Sequence, residues 1–287
     1  MSKMDTSIDH IGIVGRDLSQ LEVWYGQVGF RVAPRCELVS LSDRDQPQPM
    51  NQHNSHLVFS RTYVELTAVT GQLAGHHLEQ SLRRYYGLHI LVMLSDDAER
   101  DHANLLDAGF HPTQPGLAGR TIDYPSASGM GRFRWFRIPE DEAPESYLCF
   151  VEHLTPELVF DPALTDHPNG ATELIGLSIC VDDPEHSAER LTLAGGGTVH
   201  EVPNGIVVKF GHGEIHLMNS RQVQDRFGDL EMPASPFAAA FSLSVADLSI
   251  PVGYLEKAGI KHTCEGNRTW VLPPEPFQPV VEFVEIR

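Results

Sequence analysis

The chain has 287 residues, 41% of them apolar, and carries 39 acidic against 21 basic side chains for a net charge of −18. That balance repels phosphate backbones and anionic lipid surfaces, so no nucleic acid and no membrane is expected as a partner. No run approaches the roughly 18 apolar residues of a membrane span. The polar start, Met1 to Asp9, lacks the apolar stretch of a secretory signal, and Cys36, Cys149, Cys180 and Cys264 form no C-x-x-C pair, so a cytoplasmic protein with reduced thiols is expected.

Taken in chain order, one pattern comes round four times. Ile8 to Val14 is a short apolar strand, Asp17-Leu18 opens a helical stretch, and Gly29-Phe30 closes it into strand-like runs at 30–39, 56–59 and 62–69. The polar insert Ser40 to Ser55 reads as a loop over a cavity mouth. The second copy starts at Leu88 to Leu94, passes Asp96-Asp97 and Gly109-Phe110, and continues in strands at 132–138 and 146–154. Within it, Gln114 to Gly131 reads as a second long loop because it is rich in glycine. A Pro/Asp/Asn/Gly-rich divide follows from Phe160 to Gly170. The third copy runs from Ile175 to Val181 through Asp182-Asp183 and Gly195 to Gly197. The fourth runs from Phe241 to Val245 through Asp247 and Gly259-Ile260.

From Asp17, Asp97, Asp183 and Asp247 the next strand begins 13 positions on in every copy. Asp is a good helix N-cap and Gly a good C-terminal cap, so each copy reads β-α-β-β-β. Such a unit exposes one apolar sheet face and must pair. The expected class is α+β: four βαβββ modules paired into two curved mixed-sheet half-barrel domains with helices outside. The first domain covers 1–160, with modules at 1–75 and 85–155. The second covers 171–287, with modules at 171–222 and 236–287.

The chemistry-bearing residues fall in the first pair. His10 and His89 lie in opening strands, Glu65 and Glu152 in closing strands. If the modules pair about a pseudo-twofold axis, the four side chains converge in one concave sheet. Two imidazoles and two carboxylates suit one divalent ion such as Zn, Ni, Co, Mn or Fe. The corresponding first-strand positions of the last two copies are Gly176 and Ala240, so the second domain carries no such set. Arg132, Arg134 and Arg137, interleaved with Phe133, Trp135 and Phe136, alternate between faces and read as a solvated strand. Neither H-E-x-x-H, G-x-S-x-G nor a nucleotide-binding G-x-G-x-x-G occurs.

Asp9-His10-Ile11-Gly12, Asp17-Leu18, Gly29-Phe30 and Tyr63-Val64-Glu65-Leu66 together resemble the opening module of the vicinal oxygen chelate superfamily. That superfamily groups glyoxalase I, extradiol dioxygenases, epimerases and antibiotic-resistance proteins. The stretches 153–157 and 167–170 resemble its glyoxalase-like branch. The resemblance implies a metal held by His10, Glu65, His89 and Glu152, and proton transfer by Glu65 or Glu152 on a small carbonyl or oxygen-chelating substrate, of isomerase or lyase type. Two alternatives remain open at this stage. One is an Fe(II) extradiol-type dioxygenase using His10, His89 and Glu152, although the Tyr such enzymes carry about ten residues before the Glu is here Glu142. The other is a metal-free small-molecule binding or resistance protein. A homodimer is a further expectation.

Overall fold

The computed structural model describes residues 6–42, 46–233 and 235–286. The first βαβββ unit comprises β1 (Ser7–Val14), α1 (Leu18–Gln27), β2 (Cys36–Leu41), β3 (Pro47–Val58) and β4 (Tyr63–Val69). After the single-turn α2 (Glu79–Leu82) comes the second: β5 (Leu88–Leu94), α3 (Ala98–Asp107), β6 (Gly116–Asp123), β7 (Ser128–Arg137) and β8 (Tyr147–His153). The single-turn α4 (Pro156–Val159) and a 3-10 turn lead to β9 (Ala171–Cys180), α5 (Pro184–Gly195), β10 (Thr198–Val202), β11 (Gly205–Lys209) and β12 (Glu214–Met218). Beyond α6 (Ser220–Phe227), the last unit is β13 (Phe237–Val245), α7 (Ser249–Ala258), β14 (Thr263–Glu265), β15 (Arg268–Val271) and β16 (Val280–Glu285).

The caps that set the repeat are in place. Asp17, Asp97, Asp183 and Asp247 each accept a backbone N–H at a helix start, from Ser19, Arg100, His186 and Ser249. Gly29, Gly109 and Gly259 close helices at φ of 95°, 93° and 69°, a region that disfavours side chains.

The fold is α+β, with the four units paired into two mixed eight-stranded sheets. In the first, β1 pairs β4 in parallel and β5 antiparallel, and β2 pairs β6 to close the ring β1-β4-β3-β2-β6-β7-β8-β5. The half-barrels expected from the sequence are thus paired as expected, and in this first sheet the strands also close into a ring. Closure is made by Leu38–Leu41 against Leu117–Arg120, segments the sequence analysis assigns largely to loops. Outside residues 43–45, which lie beyond the described residues, the polar insert is a β2–β3 hairpin. The glycine-rich stretch is the β6–β7 hairpin, where a Cβ on Gly119 would lie 2.8 Å from the Gly131 carbonyl oxygen. Glycine there serves close backbone approach, not flexibility.

The second sheet stays open, in the order β10-β11-β12-β9-β13-β16-β15-β14, with short, exposed edges. Its concave side is filled by α6, whose Val223 and Phe227 are buried with Phe237, Trp270 and Val280. A reciprocal Asn219–Gln222 capping box starts that helix. Outer faces of the two sheets share one core that includes Ile11, Leu91, Leu177 and Phe241. The Tyr25 and Phe241 ring centroids stand 6.2 Å apart within it.

Candidate active site in the N-terminal barrel

Strand alternation decides what the barrel encloses. On β1 the inward residues include His10 and Gly12, lying opposite Tyr63 and Glu65 of β4. On β5 they are Ile90 and Val92, opposite Tyr147 and Cys149 of β8. These side chains, with Met50 and Gln52 of β3, His77, Ala118 and Arg120 of β6, and Phe133 and Trp135 of β7, surround a cavity of about 70 Å³. That space, open to solvent on one side, is of a size for a small molecule. Gly12 keeps it open on one side, since a Cβ there would come within 2.8 Å of Ile90 Cβ.

His10 and Glu65 come together as the sequence pattern implies, with Nε2 and Oε2 3.7 Å apart. His89 and Glu152 do not join them. Helices α1 and α3 start from Asp17 and Asp97, and counting back seven residues reaches His10 in one module and Ile90 in the other. The same count gives Gly176 and Ala240 in the later copies, so His89 is the counterpart of Asp9 and faces outward. Its Nε2 donates to the Tyr85 carbonyl at 2.8 Å, and its ring lies 4.0 Å from that of Tyr85, which packs on Phe237 of the second sheet. Burial, partly offset by that carbonyl, pushes His89 down to about 4. Glu152 lies on the helix-facing side of β8, accepting from Ala98 N at the start of α3 and from Arg134 Nη1, both at 3.1 Å. The inward counterparts of the first pair are Ile90 and Cys149, and a one-residue offset in a strand exchanges its faces.

Around His10 and Glu65 runs a line of polar contacts. Asp9 is buried; its Oδ2 accepts from His10 Nδ1 at 2.5 Å and its Oδ1 from His153 Nε2 at 2.9 Å. Burial alone would raise the Asp9 carboxyl, but His153 and His10 hold it well below the usual carboxylate range. With Nδ1–H given to Asp9, His10 turns Nε2 to the cavity, 3.4 Å from the Tyr63 hydroxyl, and its ring stacks on Tyr63 at 4.1 Å. Glu65 Oε1 accepts from Gln52 Nε2 at 2.9 Å, and Gln52 Oε1 accepts from His77 Nε2 at 2.9 Å. His77 Nδ1 in turn meets the Tyr147 hydroxyl at 2.9 Å. Burial, reinforced by His76 and Arg137, pushes His77 down to about 3, and burial keeps Tyr63 and Tyr147 protonated far above pH 10.

Arg120 is the residue that sequence reasoning misses, because it falls in the segment read as loop. It is 3% exposed. Nη1 donates to His56 Nε2 at 2.5 Å, the guanidinium carbon sits 5.1 Å from the Tyr63 ring centroid, and Nε is buried without a partner. Burial and the neighbouring Arg120 charge keep His56 neutral, well below its ordinary value. The His76-His77 pair reads as loop in the sequence, and neither Gln52 nor Tyr147 stands out there, although alternation from Cys149 points to Tyr147.

No group of three or more His, Cys, Asp or Glu side chains among the described residues is placed to hold a metal ion. His10 and Glu65 supply two donors; the positions that would complete the pseudo-symmetric set hold Ile90, which has no donor, and Cys149, whose burial raises its thiol above the ordinary range. The residues present do not fit the four-ligand ion expected from the sequence, nor the His10–His89–Glu152 triad. In the second sheet the counterpart of Glu65 is Glu282, wholly buried and bound by Arg226, Arg268 and Ser242.

Paired βαβββ units closing around a largely apolar cavity with a polar cluster in its wall define a protein of the vicinal oxygen chelate superfamily. The chain belongs to the glyoxalase-like domain family, which matches residues 8–194. No curated protein matches. Among solved structures, a hypothetical protein from Staphylococcus aureus is 9% identical with a TM-score of 0.65, the alignment covering 98% of this chain and 100% of that one. A Mn(II)-bound glyoxalase from Novosphingobium aromaticivorans is 12% identical with a TM-score of 0.57, over 98% and 82% of the two chains. A triple mutant of 4-hydroxymandelate synthase from Streptomyces coelicolor is 13% identical with a TM-score of 0.57, over 98% and 93%.

Proposed function

We propose that the protein is a glyoxalase-like enzyme that moves a proton next to a carbonyl of a small substrate held in the N-terminal barrel, giving isomerase or lyase chemistry. The observation that carries this reading is the placement of Glu65, beside His10 and Tyr63, on the wall of the cavity. Glu65 is the carboxylate facing the cavity and acts as the base. It takes the proton from the carbon α to the carbonyl; the C–H electron pair forms the new C=C bond, and the carbonyl π pair moves onto oxygen. The Tyr63 hydroxyl, kept protonated by burial, donates to that oxygen. Glu65 then returns the proton to carbon, or a leaving group on the β carbon departs with the electron pair.

His10 and Gln52 fix the Glu65 carboxylate, and Asp9 fixes His10. The apolar wall of Ile90, Val92, Phe133 and Trp135 lowers the effective dielectric around the developing charge. Metal assistance, as expected from the sequence, needs ligands that this cavity does not gather, so no step is assigned to an ion. Solvent deuterium incorporation tests the proposal. Incubation of the full chain in D2O with small carbonyl compounds (pyruvate, 2-oxobutyrate, hydroxyacetone, methylglyoxal) should remove α C–H proton signals faster than buffer alone for at least one of them. Exchange at the buffer rate throughout would leave the reading without support and point to the binding-protein alternative.

A further inference from the structure

We propose that Arg120 is an anchor for a substrate carboxylate, so that the cavity takes small organic acids and not neutral carbonyl compounds. This rests on the barrel cavity being the substrate site. A guanidinium is charged at any physiological pH and is seldom buried without an anion. Arg120 is 3% exposed, lines the cavity, and forms no ion pair with a carboxylate of the described residues. Its partner on Nη1 is a neutral imidazole, itself steadied by the Tyr124 hydroxyl at 3.4 Å from His56 Nδ1. That contact holds the side chain in place without neutralising it. The unpaired Nε belongs to the Nε–Nη2 edge of the guanidinium, the edge whose two parallel N–H groups match the two oxygens of a carboxylate.

Three half-buried arginines show how a guanidinium is neutralised elsewhere in this chain, although Arg226, like Arg120, keeps an Nε without a partner. Arg226 and Arg268 both close on Glu282, and Arg190 closes on Glu145. Arg120, among these, makes no ion-pair contact: the Glu65 carboxylate acts on it only through space, and both side chains line the cavity. Tyr63 connects the anchor to the reacting centre: its ring lies under the guanidinium, and its hydroxyl approaches His10 Nε2. A carboxylate on Arg120 therefore places an adjacent oxygen function of the same small molecule near Tyr63, His10 and Glu65.

The test compares isosteric pairs by isothermal titration on the full chain: pyruvate against pyruvamide, and benzoate against benzamide. The wild-type chain should bind at least one carboxylate about tenfold or more tightly than its amide. Arg120→Gln should abolish that preference, and Arg120→Lys, which keeps the charge but not the fork, should retain part of it. Equal affinity for acid and amide in the wild-type chain overturns the proposal, as does a preference that survives in Arg120→Gln. Should Arg120→Gln fail to fold, the wild-type ratio and Arg120→Lys still decide. Binding is read without turnover, so carboxylate preference without deuterium exchange would sink the proton-transfer reading and leave the anchor standing.

Discussion

The Asp9 carboxylate bridges two imidazoles from opposite ends of the barrel sequence, accepting from His10 at 2.5 Å and from His153 at 2.9 Å. It ties the first strand of one module to the last strand of the next and fixes which nitrogen His10 presents to the cavity. Asp9→Asn should slow any turnover about tenfold or more, because a neutral amide holds both rings less firmly. The stability effect has a definite sign. A carboxyl whose folded value is depressed contributes stability that is present above its ordinary value of 3.8 and is lost as pH falls below it. Denaturant melts of wild type and Asp9→Asn should therefore differ at pH 6, and the difference should start to shrink only below pH 4, narrowing progressively as the solution is made more acidic.

His89 and His167, both buried and both held near 4, give the protein a second acid response. Unfolded imidazoles take up protons near pH 6.5 while these native ones do not, so stability falls as pH drops from 6.5 toward 4. Each contributes a slope of about 1.4 kcal/mol per pH unit at most. Urea unfolding at pH 7.0 and 5.0 should show the loss, and His89→Gln should reduce it.

Glu282 carries the charge balance of the second sheet. Glu282→Ala leaves Arg226 and Arg268 without their shared buried anion, at a cost of about 3–5 kcal/mol. Thermal melts should show a large fall in midpoint. Carboxylate binding in the barrel, measured below that midpoint, should be unchanged.

Gly12 of β1 pairs directly with Glu65 of β4, and any side chain there meets Ile90. Gly12→Ala should cost about 1–3 kcal/mol through overpacking and weaken ligand binding at the same time. A stability loss with intact binding would show that the cavity wall at Ile90 gives way.

The four-module architecture was legible because it rests on local signals. Asp17, Asp97, Asp183 and Asp247 cap helices, and the glycines after them turn the chain, whatever the tertiary context. The site was half legible. His10 and Glu65 sit in well-patterned strands, but His89 is one position off its module's inward residue, and in a strand one position is the difference between cavity and core. Glu152 looks like a ligand in sequence and acts as an anion at the α3 N-terminus. Arg120 was illegible because glycines that permit close strand packing have the same signature as glycines that loosen a loop.

The most direct measurement follows deuterium incorporation into a small 2-oxo acid by wild type, Glu65→Gln and Glu152→Gln in parallel. The barrel site predicts a fall of about 10²–10⁴-fold for Glu65→Gln and a rate within about twofold of wild type for Glu152→Gln. Loss of exchange in Glu152→Gln with Glu65→Gln unaffected would contradict it.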